Sequence, residues 1–391
     1  MLNNLGNIIV KYRKQIGILF LIFTILSLIG MKYVKVNYDL SSYIPSNMPS
    51  KSALDLTKEE FGMQSTARIM INNISLSKAK EYKEKISDVD GVYQVLWIDD
   101  IDVYQPYEFI ENEDISKYYK DGSALFDIMF DEDDYSDKTD KAVSDIQKLL
   151  PIDSNFIGAA VDTKNSRESL ENEMIKIMAF LIPLTIIILI LTTDSYFSCI
   201  IFIIVIGISI LFNMGTNIIF KDVSFITFSI SAALQFAVSM DYSVFMLHQY
   251  EEEKKKIGNK EKAMKLTVKE TFISIFSSSL TTVAGFLALA FMNFGIGKDI
   301  GFVFAKGILF SLLCVIFIMP FFILTFENLL EKTKHKRLLP SFDNFARSTM
   351  RIGGLIIAIS LILIVPSYVA QKNNDFTYGT ASFGSGPGSK A

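Results

Sequence analysis

Ser239-Met240-Asp241-Tyr242-Ser243-Val244-Phe245-Met246-Leu247 puts one carboxylate into a run that is otherwise apolar enough to cross a membrane. The run reaches back to Val223. A helix needs about 20 mainly apolar residues to span the hydrocarbon core. An Asp near the middle of such a helix costs about 2.5–3.5 kcal/mol on insertion scales, so it marks a functional candidate. Asp241 is therefore a candidate for taking up and releasing a proton. Tyr242 can donate to, or accept from, a carboxylate on another helix. The bland alternative is an Asp that snorkels from one end of its span.

Working outward, Thr227, Ser231, Gln235, Ser239 and Tyr242 step along one stripe of the same run. The next run offers Ser274, Ser278 and Thr282 at four-residue spacing, with Ser277, Thr281 and Gly285 beside them. Small and hydroxylated faces let membrane helices approach closely and hydrogen-bond. They suit helix packing first and a water file second. Ser239, Ser278 and Thr282 are thus candidates for supporting a proton relay. So is His248, which lies two turns beyond Asp241 on its face, although an interfacial histidine needs no such role. Lys306, in Phe304-Ala305-Lys306-Gly307, is a second charge inside an apolar run. It reads as a snorkelling lysine or as a counter-charge.

Seven runs qualify as spans: Ile16–Val34, Met174–Thr192, Phe197–Met214, Val223–Leu247, Phe272–Asn293, Gly301–Phe326 and Ile352–Ala370. Lys11, Arg13 and Lys14 precede the first as they would in a secretory signal. No small-x-small cleavage site follows, so it reads as an uncleaved anchor. Lys254, Lys255, Lys256, Lys260, Lys262, Lys265 and Lys269 crowd the loop after the fourth span, and Lys332, Lys334, Lys336, Arg337, Arg347 and Arg351 the loop after the sixth. The positive-inside rule then sets the N-terminus in the cytoplasm and the C-terminal tail outside, and the abundance of Ile, Lys and Asn points to a bacterial plasma membrane.

The 391 residues are 50% hydrophobic and 20% charged, with a net charge of −4. The apolar share is concentrated in the spans. Residues 37–172 read instead as an extracytoplasmic domain. Alternation in Ala67-Arg68-Ile69-Met70-Ile71 predicts a strand, Ser77–Ser87 a helix and Val92–Ile98 a strand. Ala124–Phe130, Ser136–Leu149 and Asn155–Ala160 repeat that order. Strand-helix-strand twice suits an α/β domain of ferredoxin-like type. Ile101–Gly122 reads as a polar, irregular link. The expected fold is an α-helical polytopic membrane protein with seven spans and this domain between the first two. The expected segments are 1–36, 37–172, the spans in 173–326, a loop with an amphipathic stretch at 327–351, span seven at 352–370, and a tail at 371–391.

Leu2-Asn3-Asn4-Leu5, a basic stretch, a span and Asn37-Tyr38-Asp39-Leu40 recur as Phe342-Asp343-Asn344-Phe345, Arg347 and Arg351, span seven and Asn373-Asn374-Asp375-Phe376. The seventh span is thus expected to restart the unit begun by the first, with a second domain after it. The alternative is chance likeness between two membrane entries.

Several classes lose support. No basic face points to nucleic acid. Cys199 and Cys314 both lie in spans, so no disulfide framework or cysteine metal site is expected. The acidic run Asp131–Asp134 with Asp137 fails as an EF-hand, since Tyr135 stands at a ligand position and Ala142 where the bidentate Glu belongs. No P-loop is present, and no nucleophile–base pair suggests an enzyme. No cofactor is expected.

These features together resemble the resistance–nodulation–division superfamily, and within it the MMPL (mycobacterial membrane protein large) type. The resemblance rests on Ser239-Met240-Asp241-Tyr242 with Phe245-Met246-Leu247, on the loop Glu251–Lys256, and on Ser279-Leu280-Thr281-Thr282-Val283-Ala284-Gly285-Phe286. Gly301–Gly307 and Pro320 in span six add to it. It implies export of lipids or amphipathic compounds driven by the proton-motive force, through a porter domain outside the membrane. Asp241 would be the protonation site and Tyr242 its relay partner. Ser239 stands where the family often has Gly. The family's relay also uses two Asp-Tyr pairs facing each other across two halves, and this chain supplies one. A second chain or a second copy would complete it; a truncated half would be inactive alone. Membrane lipids, protons and an amphipathic substrate are the other implied partners. A sensing or protein-export accessory module is the rival reading, since superfamily relatives serve both roles.

Overall fold

A computed structural model describes residues 2–61, 65–100, 112–335 and 349–373. The chain forms two compact units, residues 1–336 and 337–391. Seven of the described helices are long and apolar enough to cross a membrane, and the chain is a multi-pass membrane protein.

In the first unit, α1 (Leu2–Lys11) is amphipathic and buries Ile9 and Val10. Gly6 lets it lie close on a neighbouring helix, because a Cβ there would stand 2.6 Å from the Lys265 carbonyl. Helix α2 (Arg13–Met31) is the first span; its 19 residues reach about 28 Å. It is followed by the short strand β1 (Val36–Asn37) and by α3 (Pro49–Phe61).

The next elements build a sheet domain. They are β2 (Thr66–Ile71), α4 (Leu76–Ser87), β3 (Val92–Leu96), α5 (Asn112–Tyr118), β4 (Tyr119–Lys120), β5 (Ser123–Phe130), α6 (Asp137–Leu149) and β6 (Ser154–Ile157). The strands run antiparallel in the order β3-β5-β2-β6, with β4 against β5. Along β2 and β5 alternate residues are buried, as a sheet with one packed face requires. Ile69, Phe126, Ile128 and Phe130 meet Ile86 of α4 and Val143 and Ile146 of α6 in one apolar core. Full burial of such a side chain stabilises by about 1.5–3 kcal/mol. Ser136 caps α6 by accepting the Lys138 N–H at 3.0 Å.

Two readings of this domain change. Ile101–Gly122 was expected to be irregular, yet its second half forms α5 and β4; residues 101–111 lie outside the description. The expected strand to Ala160 stops at Ile157. Gly158 ends it with φ +132°, a conformation L side chains rarely adopt, and a Cβ there would press to 2.6 Å from Ala67 Cα. Helix α7 (Ala159–Thr192) starts at once and runs 34 residues, about 51 Å. That exceeds the roughly 30 Å hydrocarbon core, so one continuous helix serves both the sheet domain and the second span.

Helix α8 (Tyr196–Thr216) follows. Its Gly215 meets α2 so closely that a Cβ there would overlap the Ser27 carbonyl, at 2.1 Å. Strand β7 (Val223–Ser224) then pairs in parallel with β1, Val36 opposite Val223 and Asn37 opposite Ser224. Helix α9 (Phe225–Ile257) grows directly from β7. It ends at Gly258, whose φ of +72° makes the left-handed stop. Helix α10 (Lys260–Leu289) returns, and α11 (Gly295–Leu313) continues through a π-helical turn, Cys314–Ile318, into α12 (Met319–Thr325). Pro320 explains the turn: it has no N–H to donate, and its ring would crowd the carbonyl one turn back. Helix α13 (Glu327–Lys332) closes the unit.

The second unit contributes α14 (Gly353–Lys372), 20 residues with Pro366 inside. Of the two halves of the expected repeat, Phe342–Phe345 and Asn374–Phe376 lie outside the described residues.

Candidate functional site

Helix α9 carries the candidate site, and its two sides differ. Thr227, Ser231, Gln235 and Ser239 recur every fourth residue, so they share one face. That face is buried: these four are at most 4% exposed. It packs on α8 and α11. The Gln235 side-chain amide donates to the Gly307 carbonyl at 2.9 Å, to Ser311 Oγ at 3.1 Å and to Ser209 Oγ at 3.3 Å. Its oxygen accepts from Asn213 Nδ2 at 3.0 Å. Ser239 donates to Ser311 Oγ at 2.5 Å. Gly307 makes room for this cluster, since a Cβ there would lie 2.7 Å from Asn213 Nδ2.

Lys306 joins the same cluster from α11. Its ammonium donates to the Asn213 carbonyl at 3.0 Å and to Asn217 Oδ1 at 2.6 Å, and stands 5.0 Å from the centre of the Phe220 ring. Asn213 lies in the last turn of α8 and Asn217 is its C-cap residue, so the ammonium meets the partial negative charge of that helix end. Lys306 thus caps a helix rather than facing Asp241.

Asp241 lies elsewhere. It is two residues from Ser239, which is about 200° around the helix. It is exposed on the flank of α9, and no hydrogen bond or ion pair to another described residue holds its carboxylate. Tyr242, one residue on, is 5% exposed, and its hydroxyl meets Thr282 Oγ1 of α10 at 3.5 Å. Thr282 also donates to the Ser278 carbonyl at 3.1 Å. Ser274, Ser277, Ser278, Thr281 and Gly285 of α10 are exposed on the adjoining surface. A Cβ on Gly285 would meet nothing within 4 Å. Asp241 therefore belongs to an open face of small and hydroxylated residues. Among the described residues, the structure joins Tyr242, the neighbour of Asp241, to Thr282, which lies one turn from Ser278 on α10. It sends Ser239 and Lys306 into the buried cluster. His248 contacts the Thr192 carbonyl of α7 through Nε2 at 2.9 Å.

The α9 end away from the sheet domain is held by charge. Glu327 of α13 is 7% exposed and bridges Lys254 at 2.5 Å and Lys260 at 3.0 Å, while the Tyr250 hydroxyl donates to it at 3.2 Å. Lys254 also bridges Glu331 at 2.7 Å. Burial acts to raise the Glu327 carboxyl, but the hydrogen bonds from Lys254 and Lys260 outweigh it and hold that carboxyl below the usual range. In the sheet domain the acidic run is taken up locally. Lys138 bridges Asp131 at 2.5 Å, and Ser65 donates to Asp134. Burial raises the Asp134 carboxyl.

Ser209, Asn213, Asn217 and Ser311 were not read as site residues. The signal for Ser209, Asn213 and Ser311 is a polar residue inside an otherwise apolar run; Asn217, just past the third run, carries none.

The sequence profile of the MMPL family matches residues 42–365. A Methanocaldococcus jannaschii protein, MJ1562, named as a candidate membrane protein, is 32% identical over 96 residues, covering 25% of each chain. YdgH of Bacillus subtilis, named likewise, is 25% identical over 243 residues, 59% of this chain and 27% of that protein. The chain spans about a quarter of the length of these curated relatives.

Proposed function

Because this chain belongs to the MMPL family, which matches it from residue 42 to residue 365, we propose that it forms one half of an exporter driven by the proton-motive force. The cargo is a lipid or another amphipathic compound. The observation that carries this reading is Asp241: a carboxylate in mid-span, without a partner among the described residues, on an open face. In a bilayer that face must either lose its charge or gain a polar neighbour, because an ionised Asp there costs about 2.5–3.5 kcal/mol. Proton uptake meets the first need. A second half, from another chain or another copy, meets the second.

In this scheme Asp241 holds the transported proton, and Tyr242, tied to Thr282, passes it on. Loss of the charge lets α9 shift against its partner face, and that shift moves the sheet domain. The sheet domain, residues 37–172, acts as porter. Its strand order with α4 and α6 supports the ferredoxin-like type. The lysines expected in a loop sit instead on the facing ends of α9 and α10, joined by Gly258-Asn259, and these ends lie in the cytoplasm with the sheet domain outside. The chain works in the plasma membrane as a transporter and not as an enzyme.

The test uses the full chain in proteoliposomes with an imposed proton gradient and a headgroup-labelled phospholipid as cargo. Asp241→Asn should cut acid-driven transfer by about 100-fold, the scale of a lost proton-transfer group, with insertion unchanged. Transfer that survives this substitution would sink the proposal.

A further inference from the structure

We infer that Tyr38 is the positioning residue through which the relay helix moves the sheet domain; this rests on the function proposed above. Tyr38 stands where three parts of the chain meet. Its ring lies parallel to that of Phe225, the first residue of α9, with centroids 5.5 Å apart and an interplanar angle of 10°. The Arg167 guanidinium carbon also stacks on this ring, 3.9 Å from the Tyr38 centroid.

Arg167 belongs to α7, and its remaining contacts lead into the sheet domain. It donates to the Tyr135 carbonyl at 2.9 Å and reaches Asp137, the first residue of α6, at 3.5 Å. Lys164, one turn earlier, adds a bridge to Asp140 of α6 at 3.5 Å. The contacts Phe225–Tyr38–Arg167 therefore run from the start of α9 to the start of α6.

The backbone reinforces their lower end. β1 and β7 pair in parallel immediately before Tyr38 and Phe225, and the Val223 N–H donates to the Lys35 carbonyl at 3.0 Å. A shift of α9 along its axis must carry β7, and through it β1 and Tyr38. The upper end has room to respond. A cavity of about 740 Å³ opens beside Tyr38, Lys164 and Arg167, so polar contacts rather than a filled apolar core join the parts there. Planar stacks suit such a joint, because rings and a guanidinium can slide on one another while staying in contact. The ring makes both stacks and is the transmitting group.

The full chain in lipid nanodiscs tests this through Lys148→Cys on α6 and, as a reference off the moving helix, Met292→Cys in the exposed turn after α10, both spin-labelled. The native Cys199 and Cys314 are buried and do not compete for label. Acidification, or Asp241→Asn at neutral pH, should shift the label-to-label distance. Tyr38→Phe should keep that shift, and Tyr38→Leu should lose it while thermal unfolding stays cooperative. A shift retained in Tyr38→Leu overturns the role of Tyr38 and leaves the function of Asp241 standing. No shift in the parent chain, by either route, overturns both.

Discussion

The two sides of α9 carry polar groups in opposite condition. Gln235 makes four hydrogen bonds in a buried cluster, and Ser239 is tied to the same cluster. Asp241, half a turn away, has an open face and no partner among the described residues. Polar residues in a span are therefore not one class. The satisfied set fixes how α8, α9 and α11 pack. The unsatisfied carboxylate carries an unmet need, and an unmet need is what a proton or a second subunit can act on.

Asp241→Leu breaks the comparison most sharply. It should stabilise the isolated chain in a bilayer by about 2.5–3.5 kcal/mol, the insertion cost of the carboxylate, and abolish acid-driven transfer. Unfolding in lipid and the transfer assay read these separately. A destabilised Asp241→Leu chain would mean that Asp241 holds a structural bond. Gln235→Leu should do the reverse. Four bonds at roughly 0.6 kcal/mol each predict a loss of about 2 kcal/mol, with Asn213 left without its acceptor. Transfer per folded molecule should survive.

Arithmetic on the helix already separates these two sets, since Asp241 cannot share a face with Ser239 two residues away. What the spacing leaves open is which neighbouring helix each face meets. The partners Asn213 and Ser311 lie on different spans, and nothing local to either says that they converge on Gln235. The sheet domain was more legible. Its strands alternate because one face packs on α4 and α6, so Ala67–Ile71 and Ala124–Phe130 show their burial in their spelling. α5 was not legible, because Asn112–Tyr118 is short and polar, and only its tertiary setting makes it helical. The stop at Gly158 follows from a close approach to Ala67, which no window of sequence contains. Lys306 follows the same rule: a cation in a span reads as a counter-charge until the end of α8 is seen to receive it.

The smallest expected effect sharpens the comparison at the end of α9 remote from the sheet domain, where a charged set is tied to neighbouring helices as Gln235 is. Glu327→Gln keeps the shape but removes the charge that Lys254 and Lys260 face. Lys254 retains Glu331, so the loss should be about 1.5 kcal/mol, the low end for hydrogen bonds to charged groups. The pH dependence gives the sign. The Glu327 carboxyl is depressed in the folded chain, so its contribution is fully present above the ordinary carboxylate range. It is lost as pH falls through the depressed value. Parent and Glu327→Gln chains should therefore differ in thermal stability at neutral pH and converge under strong acid. A gap that persists in acid would mean that the glutamate acts through packing, and that charge does not anchor this end of α9.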